Sequence, residues 1–228
     1  MKIRIRIQGC LTFLAIVITI LFSKVTFPYW KSEPADEFSD ALGIIFILFG
    51  FLFRVTARGY KEEKSQQGKF LVKEGPYYLM RHPMYFGTLL IGIGIIAVLF
   101  KFWVLPVFLI IYFLIYFPQI NREEKSLLKK FGQEYIHYCK TTPKYFPKVS
   151  LNFREYLPLE LSWIKKELPS LIVLIVLILG IEIWEEIRLF GYKELIKETF
   201  ELLAIILSLL ILINSFRTSE EKNDYSQM

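Results

Sequence analysis

Two short polar stretches interrupt a chain otherwise dominated by apolar runs. The first, GPYYLMRHPMYFG at residues 75–87, sets Arg81, His82 and Pro83 side by side directly before an apolar run. Proline suits the first turn of a helix, where its missing N–H costs no hydrogen bond, so we expect a helix to begin at Pro83. The free N–H groups and positive dipole of that helix end, with Arg81 beside them, suit an anionic group such as a carboxylate. Alternatively, Tyr, His and Arg residues here anchor a helix among lipid headgroups.

The second stretch carries two adjacent carboxylates, Glu123 and Glu124, just after a later apolar run. Paired glutamates near lysines usually form a solvated helix face. Carboxylates this close to the end of an apolar run also suit the hydroxyl or ammonium groups of a ligand. The charge pattern leaves both interpretations open.

The composition indicates a membrane protein. The 228-residue chain is 54% hydrophobic and 17% aromatic, with a mean hydropathy of +0.41, which is too apolar for a typical soluble domain. Uncharged runs predict six transmembrane helices, at residues 7–23, 41–53, 83–100, 102–121, 168–181 and 202–216. We therefore predict an all-α, polytopic integral membrane bundle of about six transmembrane helices, with a helical hairpin at 83–121 that turns tightly at 101–103. The shorter runs could instead be buried core helices.

The distribution of Lys and Arg predicts the orientation of these helices. Positive residues concentrate at the N-terminus, in residues 54–82 and 122–166, and in the C-terminal tail. Because such residues are retained on the cytoplasmic side, both termini, both large loops and the active site are predicted to be cytoplasmic. The net charge of +6 is explained by this topology and by anionic lipid headgroups, so no nucleic-acid partner is implied.

The organisation along the chain predicts four parts. Residues 1–53 form N-terminal membrane helices, and 54–150 form a core of cytoplasmic loop, transmembrane hairpin and cytoplasmic C-terminal block. Residues 151–216 add a helix pair, and 217–228 form a disordered tail. Within the core, the fourth apolar run is expected to continue as an amphipathic helix to about Phe131, where Gly132 would cap or bend it.

The two polar blocks together resemble the isoprenylcysteine carboxyl methyltransferase family of integral membrane enzymes, which is related to bacterial phospholipid methyltransferases. The matching residues of the first block are Gly75, Tyr77, Arg81, His82, Pro83, Tyr85 and Gly87. Those of the second are Glu123, Glu124, Leu127, Phe131, Gly132, Glu134, Tyr135, Tyr138, Pro143 and Pro147. The resemblance covers roughly residues 40 to 150, and it departs from the common family form at Tyr78, where an Arg is usual.

The resemblance implies S-adenosylmethionine as the methyl donor and no metal. It implies cofactor-binding roles for Gly75, Tyr77, His82, Pro83, Tyr85, Glu123, Glu124, Tyr135 and Tyr138, and catalytic roles for Arg81, Glu123 and Glu124. Gly92 and Gly94 also look like a cofactor motif of the phospholipid methyltransferases, although small residues in a membrane hairpin often just permit close helix packing.

The methyl acceptor is expected to be a lipid or a prenylated small molecule. A carboxylate acceptor needs a cation, which Arg81, Arg54 or Arg122 could supply, and this is the branch that the two blocks favour. An amine such as a phosphatidylethanolamine headgroup instead needs a base, which Glu123, Glu124 or His82 could supply. A non-catalytic transporter or scaffold is the alternative from another class of protein.

Overall fold

The computed structural model describes residues 34–148 and 153–190, and every element of regular secondary structure within those ranges is a helix. The helices are α1 (Pro34–Lys64), α2 (Pro76–Leu79), α3 (Pro83–Leu99), α4 (Val104–Phe131), α5 (Gln133–Thr141), α6 (Phe153–Tyr156) and α7 (Leu161–Phe190). The all-α prediction is therefore confirmed for the described part of the chain. The predicted runs at 7–23 and 202–216 lie outside the described residues.

Two of the described helices are long and apolar enough to cross a membrane, namely Phe38–Lys64 within α1 and the whole of α4. Only 22% and 11% of their most apolar stretches are buried within the protein, so most of that apolar surface faces outward. Such surfaces are typical of helices in contact with lipid. Helix α3 is shorter, at 17 residues, and the predicted run at 168–181 lies inside α7.

Helices α3 and α4 form the predicted helical hairpin. Helix α3 begins at Pro83, with His82 at its N-cap position, and α4 follows after a turn at residues 100–103. The turn is closed by a hydrogen bond from the Val104 N–H to the Lys101 carbonyl at 2.9 Å. As expected, α4 continues without a break to Phe131 and ends at Gly132, whose positive φ of 52° favours glycine.

Helices α1 and α3 pack backbone to backbone through two pairs of glycines. A Cβ atom on Gly87 would lie 2.5 Å from the carbonyl oxygen of Gly50, and one on Gly94 would lie 2.4 Å from that of Gly43. In each helix the two glycines are seven residues apart, which keeps both on one helix face. This spacing allows the two helices to approach more closely than any side chain would permit.

The chain divides into two compact units, residues 1–167 and 168–228, and the core and the candidate site described below belong to the first. A small apolar core in this unit gathers Phe53 of α1, Leu79 and Met80 from the segment before α3, and Leu157. All four side chains are almost fully buried. This core fixes the position of the polar segment that leads into α3.

The glycine contacts predict opposite effects for two similar substitutions. Gly87→Ala should destabilise the protein by about 1–3 kcal/mol, because the added methyl group collides with backbone atoms that cannot rotate away. Gly180 lies in α7, and no atom lies near its Cβ position. Gly180→Ala should therefore stabilise the protein, by up to about 1 kcal/mol, because alanine has the higher helix propensity. Thermal unfolding in detergent, followed by circular dichroism, measures both. A Gly87→Ala protein as stable as the parent would contradict the close packing of α1 and α3.

Candidate active site

The two polar blocks of the sequence meet in the folded protein. Arg81 of the first block pairs with Glu124 of the second, with 2.6 Å between Nη1 and Oε1. The backbone N–H of Arg81 also donates to the carbonyl of Pro143 at 2.9 Å. Nearby, the Tyr138 hydroxyl donates to the carbonyl of Tyr77 at 2.6 Å. Segments far apart in the chain are thus held together by side-chain and backbone contacts.

Glu124 is the centre of these contacts. Its Oε1 atom forms an ion pair with Arg81 Nη1 and lies 3.4 Å from His82 Nε2, while its Oε2 atom pairs with Lys144 Nζ at 2.7 Å. Lys144 Nζ also donates a hydrogen bond to Asn121 Oδ1, at 2.7 Å. A poorly exposed carboxylate stays ionised when cations surround it in this way. Glu124 is therefore occupied by protein partners, and sequence analysis had not identified Lys144 as one of them.

Glu123 has a different environment. Its side chain is 35% exposed and lines a cavity, with Lys61 Nζ at 3.6 Å and His82 Nδ1 at 4.0 Å. These are looser contacts than those of Glu124. The carboxylate of Glu123 is consequently the member of the pair that remains available to a ligand.

His82 lies between the two glutamates and is 6% exposed. Burial lowers the pKa of the imidazole below its ordinary value of 6.5, because a charged ring would lose its hydration. Glu123 and Glu124 act in the opposite direction, but burial has the larger effect. His82 is thus neutral at physiological pH and can both donate and accept a hydrogen bond.

The cavity beside these residues has a volume of about 810 Å³. Its walls come from α1, from residues 65–72, from the segment 77–88, from one face of α4, and from α5. Five tyrosines contribute aromatic surface, namely Tyr77, Tyr85, Tyr116, Tyr135 and Tyr138. The volume lies within the usual range of small-molecule sites, which is roughly 300–1,000 Å³.

Most of the predicted site residues line this cavity. They are Tyr77, Arg81, His82, Pro83, Tyr85, Glu123, Tyr135 and Tyr138. Gly75 and Glu124 are not part of its wall. Gly75 instead adopts a positive φ of 56° and lies against the ring of Tyr60, which a Cβ atom would approach to 2.6 Å.

The structure bears on three further points that the sequence left open. The N–H groups of Tyr85 and Phe86 already donate to the carbonyl of His82 at 3.2 Å, so the start of α3 offers fewer free donors than its proline suggests. Gly92 faces the ring of Phe108 and Gly94 faces α1, so neither glycine lines the cavity. Arg122 is exposed and also lies outside the cavity wall.

The cavity wall includes residues that sequence analysis did not single out. On α4 these are Tyr116, Gln119, Ser126 and Lys130, which recur every three or four residues together with Glu123. On α1, Lys61 lies seven residues after Arg54. Helical spacing measured from Glu123 and Arg54 would have found most of them.

The burial of neutral His82 predicts how the stability of the protein depends on pH. Since the imidazole has a lower pKa in the folded protein than in the unfolded chain, the unfolded chain binds more protons below about pH 6.5. The free energy of unfolding should decrease as the pH falls through that window, by at most about 1.4 kcal/mol per pH unit for one proton. Thermal unfolding measured above and below pH 6.5 should show a smaller pH dependence in His82→Gln.

The other histidine of the chain provides the control. His137 is exposed, so His137→Gln should retain the pH dependence of the parent. Identical pH profiles for the parent and His82→Gln would show that His82 is not held neutral.

Comparison with known proteins is consistent with this site. Residues 44–129 match the sequence model of the isoprenylcysteine carboxyl methyltransferase family. The cobalt-zinc-cadmium resistance protein of Cupriavidus metallidurans is 28% identical over 60% of this chain and 62% of its own length. Protein-S-isoprenylcysteine O-methyltransferase B of Arabidopsis thaliana is 27% identical over 60% of this chain and 74% of its own length. Protein-S-isoprenylcysteine O-methyltransferase of Saccharomyces cerevisiae is 30% identical over 46% of this chain and 47% of its own length.

The chain thus spans less than two thirds of the Cupriavidus and yeast relatives. No solved structure matches it at a significant level. The matched segment contains α3, most of α1 and α4, and the residues Arg81, His82, Glu123 and Glu124. Residues 44–129 are therefore similar in sequence to the isoprenylcysteine carboxyl methyltransferase family, which confirms the resemblance drawn from the two polar blocks.

Proposed function

We propose that this protein is a membrane-embedded methyltransferase that transfers a methyl group from S-adenosylmethionine to the carboxylate of a lipid-like acceptor. The observation that carries the proposal is the shared cavity. Residues of both polar blocks line one cavity, in which His82 Nδ1 and Glu123 Oε2 lie 4.0 Å apart, and both of these residues belong to the family-matched segment. Two relatives are named as methyltransferases of isoprenylcysteine, which supports the same class of reaction.

The cavity fits the chemistry of S-adenosylmethionine. Aromatic side chains such as Tyr135 and Tyr138 offer surfaces for the adenine, and Glu123 offers a carboxylate for the ribose hydroxyls or the ammonium group. Two buried polar atoms, Arg81 Nε and the Tyr135 hydroxyl, form no hydrogen bond of normal geometry among the described residues, although the two side chains interact electrostatically. Buried polar groups of this kind are normally satisfied, so they suit a polar ligand.

When bound, this cofactor supplies a methyl group on a positively charged sulfur. The protein then has to align the acceptor and exclude water, without a covalent intermediate of its own. His82, neutral and buried, donates or accepts a hydrogen bond without adding a charge beside the sulfonium. Arg81 is fixed in one orientation by Glu124, so it presents a pre-positioned cation to an anionic ligand group.

The charges around the cavity favour an anionic acceptor. Its wall carries the cations Arg54, Lys61, Arg81 and Lys130. Among the described lining residues Glu123 supplies the opposing carboxylate, and it is shared with Lys61 at 3.6 Å. A carboxylate acceptor is already ionised at neutral pH and is attracted by such a surface, whereas an amine would first have to lose a proton. This asymmetry favours a lipid carboxylate over a phospholipid amine.

The location of the site follows from the same proposal. The apolar outer surfaces of α1 and α4 would contact lipid, so the acceptor can arrive from the bilayer. The lysines and arginines near the cavity would lie on the cytoplasmic side, where the cofactor is available. The protein would then be a multi-pass membrane protein with both termini in the cytoplasm.

Glu123→Ala should weaken cofactor binding, because it removes the available carboxylate without touching the ion pairs of Glu124. A ligand at 100 times its Kd stabilises a protein by about 2.7 kcal/mol, so the parent should show a clear rise in Tm with S-adenosylmethionine. That rise should be much smaller in Glu123→Ala. The exposed Glu155→Ala, remote from the cavity wall, should behave as the parent does.

Methyl transfer is tested with radiolabelled cofactor and two acceptors in competition, a prenylcysteine analogue and phosphatidylethanolamine. We expect label in the prenylcysteine ester. Label in the phospholipid would reassign the acceptor to an amine. No stabilisation by S-adenosylmethionine or by its demethylated product, together with no transfer, would refute the enzyme proposal.

A further inference from the structure

A buried carboxylate lies in the first unit but outside the family-matched segment. Glu167, in the second turn of α7, is 1% exposed. Its Oε1 atom lies 2.5 Å from Arg58 Nη1, and its Oε2 atom lies 3.7 Å from Arg54 Nη2. Burying a carboxylate is costly unless it is paired, and removing one member of such a pair is strongly destabilising. The contacts therefore constrain both arginines as well as the glutamate.

A steric fit brings Glu167 to this position. One turn earlier, Trp163 is 4% exposed, and its ring fills the space beside Gly59 of α1, where a Cβ atom would lie 2.1 Å from the indole. The indole N–H donates to Glu63 Oε1 at 2.5 Å, and the ring lies against Tyr60. The first two turns of α7 are thus seated on α1 independently of the charges of Glu167.

Arg54 connects this contact to the cavity. Its side chain passes next to Gly87 of α3, where a Cβ atom would lie 2.8 Å from Arg54 Cγ, and Arg54 forms part of the cavity wall. Arg54 Nη1 donates to Thr88 Oγ1 at 2.8 Å, and Nη2 faces Glu167. The guanidinium is therefore held from two directions. Because it has five N–H donors, further donors remain for a ligand.

We propose that Glu167 is a positioning residue for Arg54, and that it sets the affinity of the cavity for the anionic group of the acceptor. This inference rests on the proposed function. Without the carboxylate of Glu167, Arg54 would be held by Thr88 alone, and the guanidinium of Arg58 would repel that of Arg54. The orientation of a cavity cation is thus determined by a helix that begins 32 residues after the end of the family-matched segment, at Leu161.

The test measures acceptor and cofactor separately. In Glu167→Gln, the KM for a prenylcysteine carboxylate should rise roughly tenfold, which is the scale of coupling within one salt-bridge network. The kcat and the affinity for S-adenosylmethionine should stay close to the parent values. The affinity for the methyl ester product should also be unchanged, since the ester has no anionic group. Glu167→Asp, which keeps the charge, should recover part of the lost affinity.

Glu62→Gln is the matched control. Glu62 pairs with Lys166 at 2.9 Å, so it joins the same two helices, but both side chains are half exposed and neither lines the cavity. The KM of the Glu62→Gln variant for the prenylcysteine carboxylate should equal that of the parent. An unchanged KM in Glu167→Gln would overturn the proposal. Equal losses of affinity for the carboxylate acceptor and for the methyl ester would also overturn it. Absence of methyl transfer in the parent protein would overturn the proposed function and this inference with it.

Discussion

The ionised carboxylate of Glu124 is the constraint on which the site depends. It forms ion pairs with Arg81 and Lys144 and lies beside His82, and these partners come from both polar blocks. Like charges would otherwise keep Arg81 and Lys144 apart. With Glu124 between them, the segment before α3 and the segment after α5 close around one end of α4. Glu123, one residue earlier, is thereby directed to the cavity, so adjacent glutamates have different surroundings.

The helices of the core were largely predictable from local patterns. The proline after His82 located the start of α3, and Gly132 located the end of α4, because each residue has a backbone preference that acts within one turn. The point at which α1 ends was harder to predict. The apolar run ends before Arg54, yet the helix continues to Lys64. Contacts with Thr88 and Glu167 accommodate that arginine, and these partners are distant in the chain.

The sequence predicted most of the residues at the site, but it predicted their individual roles less well. Tyr77, His82, Tyr135 and Tyr138 line the cavity as the resemblance implied. The sequence could not distinguish Glu123 from Glu124, since the difference arises from Lys144, which is 20 residues from Glu124 in the chain. Gly75, expected at the cofactor, is instead a conformational requirement set by its positive φ and the ring of Tyr60.

The shortness of α3 has a consequence for where chemistry can occur. Its 17 residues span about 26 Å at roughly 1.5 Å per residue, which is less than a hydrocarbon thickness of about 30 Å. In a bilayer, this hydrophobic mismatch either thins the surrounding lipid or draws the N-terminal end of the helix below the headgroups. His82, at that end, would then be recessed into the leaflet. An amphiphile could present its polar head to such a depression while its tail stayed among the acyl chains.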